Sequence, residues 1–202
     1  MKGILKIEDS NKVFFTSDFH ANHANIIKYC DRPWKTKEEM TETLIKNWNS
    51  VIGPDDIVFN LGDFMWSSSW NTVLEQLNGH IYLIWGNHDR KDFKNSYLNH
   101  LEGVYEQLTL LIDNKIVYLN HFPYLCFPEK HYQLFGHVHL SQNKNEGKDF
   151  ERCSYLLPNQ YDVGVDLNDF KPISWKQVWE RLQYQKEHNV NCLHWINYEN
   201  KN

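Results

Sequence analysis

The side chains best suited to chemistry in this sequence fall into five short segments. "SDFH" supplies Asp18 and His20, "LGDF" supplies Asp63, "WGNHDR" supplies Asn87 and His88, "LNHFP" supplies His121, and "FGHVH" supplies His137 and His139. Imidazole nitrogens, carboxylate oxygens and one amide oxygen together make a ligand set for borderline-hard divalent ions such as Mn, Zn, Fe, Co or Ni. Even with one of the eight set aside, seven such groups are too many for one ion, whereas two ions sharing a bridging carboxylate would use them. A single histidine of this kind is more often an ordinary surface or core residue than a ligand. Five clusters, each placed where a strand ends, are hard to explain that way.

The apolar runs in front of these clusters are what must position them. "GILKIE" (3–8) and "KVFFTSDFH" (12–20) read as strands joined by the turn "DSN", because Asp and Asn tolerate left-handed backbone. "ANIIKYC" (24–30) reads as a short helix. "KTKEEMTETLIKNWNSVIG" (35–53) reads as an amphipathic helix with Met40, Leu44, Trp48 and Ile52 on its stripe, Thr36 as N-cap and Gly53 as stop. "DIVFNLGDF" (56–64) and "IYLIWGNHD" (81–89) are strands, separated by a helix over 71–80 that Asn78-Gly79 ends. "VYEQLTLLIDNKIVYLNH" (104–121) reads as one hairpin turned at Asp113-Asn114, and "YQLFGHVH" (132–139) and "YDVGVD" (161–166) as further strands. "PISWKQVWERLQYQKEHN" (172–189) is a closing helix with Pro172 ahead of it, Ser174 as cap and Trp175 and Trp179 on its apolar face. At the carboxyl ends of strands in α/β sheets, loops converge while the strands fix their positions. Pairs spaced i, i+2, as in Asp18/His20 and His137/His139, then reach one locality, and the glycines at 62, 86 and 136 allow a sharp exit and close approach of main chain.

Bulk composition narrows the setting. The chain has 202 residues, 41% hydrophobic, 15% aromatic and 23% charged, which excludes disorder and suits a single domain over 1–202. A net charge of -5 and a pI near 6.1 give no global pull toward a polyanion such as nucleic acid. The mixed-charge stretch Lys144 to Arg152 reads as a solvated loop. Cys30, Cys126, Cys153 and Cys192 lack CxxC spacing, and no secretion signal or membrane-length apolar run is visible, so a cytoplasmic, soluble protein is expected. Nothing in the sequence speaks to oligomeric state.

In their order, "SDFH", "GD", "GNHD", the His of "NHFP" and "GHVH" resemble the five-block pattern of the calcineurin-like metallophosphoesterase superfamily. "FFTSDFHANHANIIKYCDRPW" and the later "VGVD" and "KPIS" resemble a bacterial and phage branch of small members. The resemblance implies an α/β fold (α+β by some schemes), a four-layer αββα sandwich of two mixed β-sheets flanked by helices, with a dinuclear site at the sheet edge. By position, Asp18, His20, Asp63 and His139 would bind one metal, and Asp63 would bridge to a second completed by Asn87, His121 and His137. Manganese is the first expectation, with Zn, Fe, Ni or Co as others. His88 would not bind metal but would stabilise the transition state or protonate the leaving oxygen.

The activity so implied is hydrolysis of a phosphate ester of a nucleotide or other small phosphorylated metabolite by a hydroxide bridging the ions. A nuclease is the alternative within the same chemistry, disfavoured by the acidic pI, and a catalytically silent metal-binding scaffold is the alternative from another class. Departures from the pattern are visible too. After Asp63, "FMWSSSW" offers no His or acid to orient His88, and Asp162 stands where the small-member branch has Asn. His23 and Arg32 sit where that branch has His and Arg, and are expected to contact the substrate phosphate. Trp34, Trp66 and Trp70 lie near the same loops, where stacking on a base or packing in the core are both open to them.

Overall fold

A computed structural model describes residues 3–141 and 148–197. Its strands are β1 (Ile4–Lys6), β2 (Val13–Thr16), β3 (Ile57–Asn60), β4 (His80–Ile84), β5 (Gly103–Tyr105), β6 (Leu108–Ile112), β7 (Lys115–Leu119), β8 (Tyr132–Phe135), β9 (Gln160–Asp162) and β10 (Ile173–Ser174). Its helices are α1 (Ala24–Tyr29), α2 (Lys37–Asn49), α3 (Asn71–Leu74), α4 (Lys148–Arg152) and α5 (Trp175–Glu187). The strands form two mixed five-stranded sheets, ordered β1-β6-β7-β8-β9 and β10-β2-β3-β4-β5. Among the described residues only β6–β7 and β10–β2 are antiparallel pairs, so most strands of each sheet deliver their carboxyl ends to one rim.

Period-two alternation in the second sheet builds both sides of the core. Phe15, Phe59 and Ile84 face the first sheet, where they meet Leu110, Val117, Leu119 and Leu134. Their neighbours Val58 and Leu83 face the other way, onto Met40, Leu44 and Trp48 of α2. Those helix residues are fully enclosed, and each Leu or Met so buried contributes about 1.5–3 kcal/mol. Thr36 caps α2 through its Oγ1, which accepts from Glu39 N at 3.1 Å. Ser174 and Gln177 form a capping box on α5, which packs on β2, β9 and β10 with Trp175, Val178 and Leu182 in the sandwich core. The fold is the expected one of two mixed sheets flanked by helices.

Several element boundaries differ from the sequence reading. The second strand stops at Thr16, and the helix over 71–80 shrinks to one turn, α3. Past it the chain tightens through Gln76 N→Val73 O and Leu77 N→Leu74 O bonds, then turns at Gly79 with φ +92. The hairpin over 104–121 is shorter than expected. Its turn at Asp113-Asn114 has φ of +47 and +61, as a tight primed turn requires, but Val104 and Tyr105 pair with β4 in the other sheet. Of the mixed-charge stretch Lys144 to Arg152, residues 144–147 lie outside the described residues, and α4 occupies the rest. Among the described residues no helix is long and apolar enough to cross a membrane.

Candidate metal centre

Strands β2, β3 and β4 of one sheet and β7 and β8 of the other end at a common rim, and the five polar clusters follow within four residues of those ends. The rims are tied together by main chain. Asp18 N donates to Gly62 O (2.9 Å), His20 N to Asp63 O (2.9 Å), Gly136 N to His121 O (3.0 Å) and Val165 N to Ser17 O (3.1 Å). The close approach expected of the glycines is present: a methyl group on Gly86 would collide with Asp63 Oδ1, and one on Gly136 with Ser17 and Asp18.

The structure brings all seven candidate ligands together. His20 Nε2 lies 3.3 Å from His139 Nε2 and 3.6 Å from Asp63 Oδ2, and His139 Nε2 lies 3.6 Å from Asp18 Oδ1. On the other side of Asp63, His121 Nε2 is 3.5 Å from the same Oδ2, and Asn87 Oδ1 lies 3.0 Å from both His121 Nε2 and His137 Nδ1. Ligands at about 2.0–2.2 Å from one ion stand roughly 3.0–3.6 Å from each other, which is the spacing found here. The donor set and its spacing therefore fit divalent metal at this cluster.

A second layer of groups fixes which atoms face inward. His121 Nδ1–H donates to Leu61 O at 2.8 Å, which turns Nε2 toward Asp63 and Asn87. His139 Nδ1 is 2.8 Å from Asp166 Oδ2, which turns its Nε2 toward Asp18 and His20 in the same way. Asp63 Oδ1 accepts from His88 N (2.9 Å), freeing Oδ2 for the two flanking imidazoles. Asp89 is fully buried and accepts from Asp63 N, Phe64 N and Gly86 N, each at 2.8 Å, so it locks two of the loops to one another. Burial, and after it the charge of Asp63, raises the Asp89 carboxyl to about 6.

Electrostatics separates the rings. Burial pushes the His20 imidazole well below its ordinary pKa, and neighbouring His139 adds to the effect. His139 is partly buried, and desolvation works against its charge, yet Asp18 and Asp166 hold it well above. Burial works against the Asp63 charge, but its bond to His121 keeps it below the usual carboxylate range and raises His121 in turn.

His88 does not join either ligand group. Its Nε2 is 3.9 Å from Asp63 Oδ2, and its side chain is 41% exposed at the mouth of the site. It packs against Trp66, whose ring lies 4.8 Å from that of His88 and 4.1 Å from that of His23. Trp66 is thus a site residue, whereas Trp70 is buried. His23 is beside the site and caps α1 by accepting from Ile26 N at 2.8 Å on Nδ1. Burial, followed by His88, lowers its pKa.

Arg32 corrects the sequence expectation of a phosphate contact. Its side chain is 0% exposed and forms a bidentate pair with Asp166, Nε to Oδ1 and Nη2 to Oδ2, both 2.8 Å. Nη2 also donates to Asp18 O (2.7 Å) and Nη1 to Phe19 O (3.2 Å), so the guanidinium sits beneath the site and supports it. Asp89 and Asp166 are residues the sequence reading gave no role, and Trp66, expected to stack on a base or pack in the core, lies instead against His23 and His88. Asp89 and Asp166 do close two of the quoted segments, "GNHD" and "VGVD".

Comparison with known proteins bears on this arrangement. The profile of the calcineurin-like phosphoesterase family matches residues 11–196. An uncharacterised protein of Methanocaldococcus jannaschii is 53% identical over 171 residues, 81% of this chain and 86% of that one. The gene 66 protein of Mycobacterium phage D29 is 31% identical over 196 residues, covering 81% and 92%. A solved structure of a protein of unknown function from Aquifex aeolicus superposes with a TM-score of 0.63 at 24% identity over 83% of this chain and 97% of that one, a likeness of fold.

Proposed function

Since the chain belongs to the calcineurin-like phosphoesterase family, we propose that it hydrolyses a phosphate ester using two divalent ions held at the cluster described above. Asp18, His20, Asp63 and His139 would hold one ion, and Asp63, Asn87, His121 and His137 the other. The observation that carries this reading is the place of Asp63: its Oδ2 is 3.6 Å from His20 Nε2 and 3.5 Å from His121 Nε2, between the two groups. Manganese is the first ion to try, and a nucleotide or similar small phosphorylated metabolite the first class of substrate. Such ions, when bound, supply a water acidic enough to attack near neutral pH and neutralise charge on the phosphoryl oxygens.

The chain's own residues do the rest. Asp63 Oδ1 is occupied by the His88 N–H, which fixes the carboxylate and places the His88 ring at the mouth in one step. An imidazole held there gives a proton to the departing oxygen, and Trp66 limits the swing of that ring. His23 accepts a main-chain N–H on Nδ1, so its Nε2 carries the proton and can donate to a phosphoryl oxygen. Protein loaded with Mn should cleave bis-p-nitrophenyl phosphate. Asp63→Asn should lose bound ions and turnover together, whereas His88→Ala should keep its ions and lose roughly a hundredfold to ten-thousandfold in kcat. A His88→Ala variant as fast as wild type would refute the role given to His88.

A further inference from the structure

A cavity of about 380 Å³ opens beside the proposed centre, and the candidate ligand His137 forms part of its wall. Phe122, Tyr124, Leu125, Tyr155 and Leu156 supply most of the remaining wall, with Arg152 adding a cationic edge. The Phe122 ring lies 4.6 Å from the His137 ring and 5.0 Å from the His121 ring, so the apolar wall begins where the ligand set ends. Three of its apolar side chains are open to solvent, at 44% for Phe122, 82% for Leu125 and 75% for Tyr155. Large apolar side chains left open beside a chemical site mark a binding surface.

The position of this cavity decides what it takes. His88, the proton donor of the proposed reaction, stands on the flank formed by His20, His23 and Trp66. The cavity meets the site at His137, which stands 3.0 Å from Asn87 Oδ1 in the other candidate ligand group. A phosphorus held between His88 and His137 directs its leaving arm toward His88 and a second organic arm toward the cavity. A phosphomonoester has no second arm. Aromatic walls suit a flat ring, which stacks on them whatever its substituents.

We propose that the substrate is a phosphodiester, and that the cavity lined by Phe122, Tyr124, Leu125 and Tyr155 holds its non-leaving arm, a flat aromatic group of the nucleobase or aryl kind. This rests on the phosphoesterase reading above. The atoms balance as in any diester hydrolysis: water adds to phosphorus, the bond to the leaving oxygen breaks, that oxygen takes a proton, and the arm in the cavity stays on the monoester product.

The test compares two substrates with one leaving group, bis-p-nitrophenyl phosphate and methyl p-nitrophenyl phosphate, on Mn-loaded wild type and on Leu125→Ser/Tyr155→Ser. Both positions are exposed, so the fold should survive the change. The ratio of kcat/KM for the two substrates should fall roughly tenfold or more in the variant, carried by KM for the aryl diester, with the methyl diester unchanged. Affinity measured by calorimetry should show the same loss for diphenyl phosphate and none for dimethyl phosphate. An unchanged ratio, or an equal loss for both substrates, overturns the subsite. A wild type that cleaves p-nitrophenyl phosphate but neither diester overturns the diester proposal, and one that cleaves none of the three with any of the ions overturns the phosphoesterase reading itself.

Discussion

Replacing Asp166 by Asn tests whether the site depends on a carboxylate that touches no substrate. Asp166 is fully buried between Arg32 and His139, with three contacts at 2.8 Å. Burial disfavours its charge, but Arg32 and then His139 hold its pKa far below the usual carboxylate range. With its oxygen in the Oδ2 place the amide turns its NH2 against Arg32 Nε–H, and flipped it turns the NH2 against both Arg32 Nη2–H and His139 Nδ1–H. Breaking a buried ion pair and stranding the guanidinium costs about 3–5 kcal/mol. At roughly 2–4 °C per kcal/mol for a chain of this size, the thermal midpoint should fall by about 6–20 °C. Releasing His139 from its carboxylate should also weaken metal binding by about 10- to 100-fold. The assays are thermal unfolding and calorimetric titration with Mn at a temperature where the variant is folded. Arg32→Met serves as control, since it strips the same ion pair but leaves Asp166 on His139. It should lose a similar amount of stability and keep most of its metal affinity. If Asp166→Asn bound Mn within twofold of wild type, or if both variants lost affinity in step with stability, the proposed role in orienting His139 would be wrong.

Asp162 offers a pH test. Burial, and after it the Asp18 charge, raises its pKa to about 7. A carboxyl raised in the fold supports it while protonated: the contribution is whole below the unfolded value near 4 and is lost as pH climbs to 7. The metal-free protein should therefore lose about 4 kcal/mol of unfolding free energy across that window, through this group alone. Asp162→Asn keeps an acceptor for Gly164 N and should flatten that slope in urea titrations at successive pH values; an unaltered slope would remove Asp162 from the account. For Trp66→Ala, kcat should fall by roughly tenfold to a hundredfold with ion content and KM little changed, and Trp66→Phe should restore most of it. A rise in KM at constant kcat would instead show that Trp66 contacts substrate.

The ligand candidates were readable because each follows an apolar run, and a strand end is where a side chain is both fixed and free to face a neighbour. Caps were readable for a similar reason: Thr36 and Ser174 act on N–H groups three residues away, so local sequence contains the whole interaction. Long-range partners left no such trace. The run from Val104 to Leu119 is continuous in type, and only pairing in space assigns Tyr105 to one sheet and Leu108 to the other. Arg32 reads as a phosphate contact because arginine is seldom enclosed, and the carboxylate that encloses it lies 134 positions away in sequence. Trp66 could be recognised only once His23 and His88 were seen on either side of it.

Backbone conformation explains how so many ligands can converge. Asp18, His20, Asp63, His137 and His139 all have positive φ, between +49 and +71, where L-residues other than Gly are uncommon and cost about 1–2 kcal/mol each. Strain of this kind persists only where the surroundings impose it. At His137 the imposing groups are visible. Val138 N bonds back to Gly136 O at 2.9 Å, closing a tight three-residue turn about φ +71, and His137 N donates to both oxygens of Asp18 at 3.1 and 2.9 Å. Asp18 is thus both a candidate ligand and the anchor that holds another ligand's backbone in its strained form. A carboxylate bound in this way cannot move toward an arriving ion without releasing His137. The two groups of candidate ligands are therefore coupled through main chain as well as through Asp63.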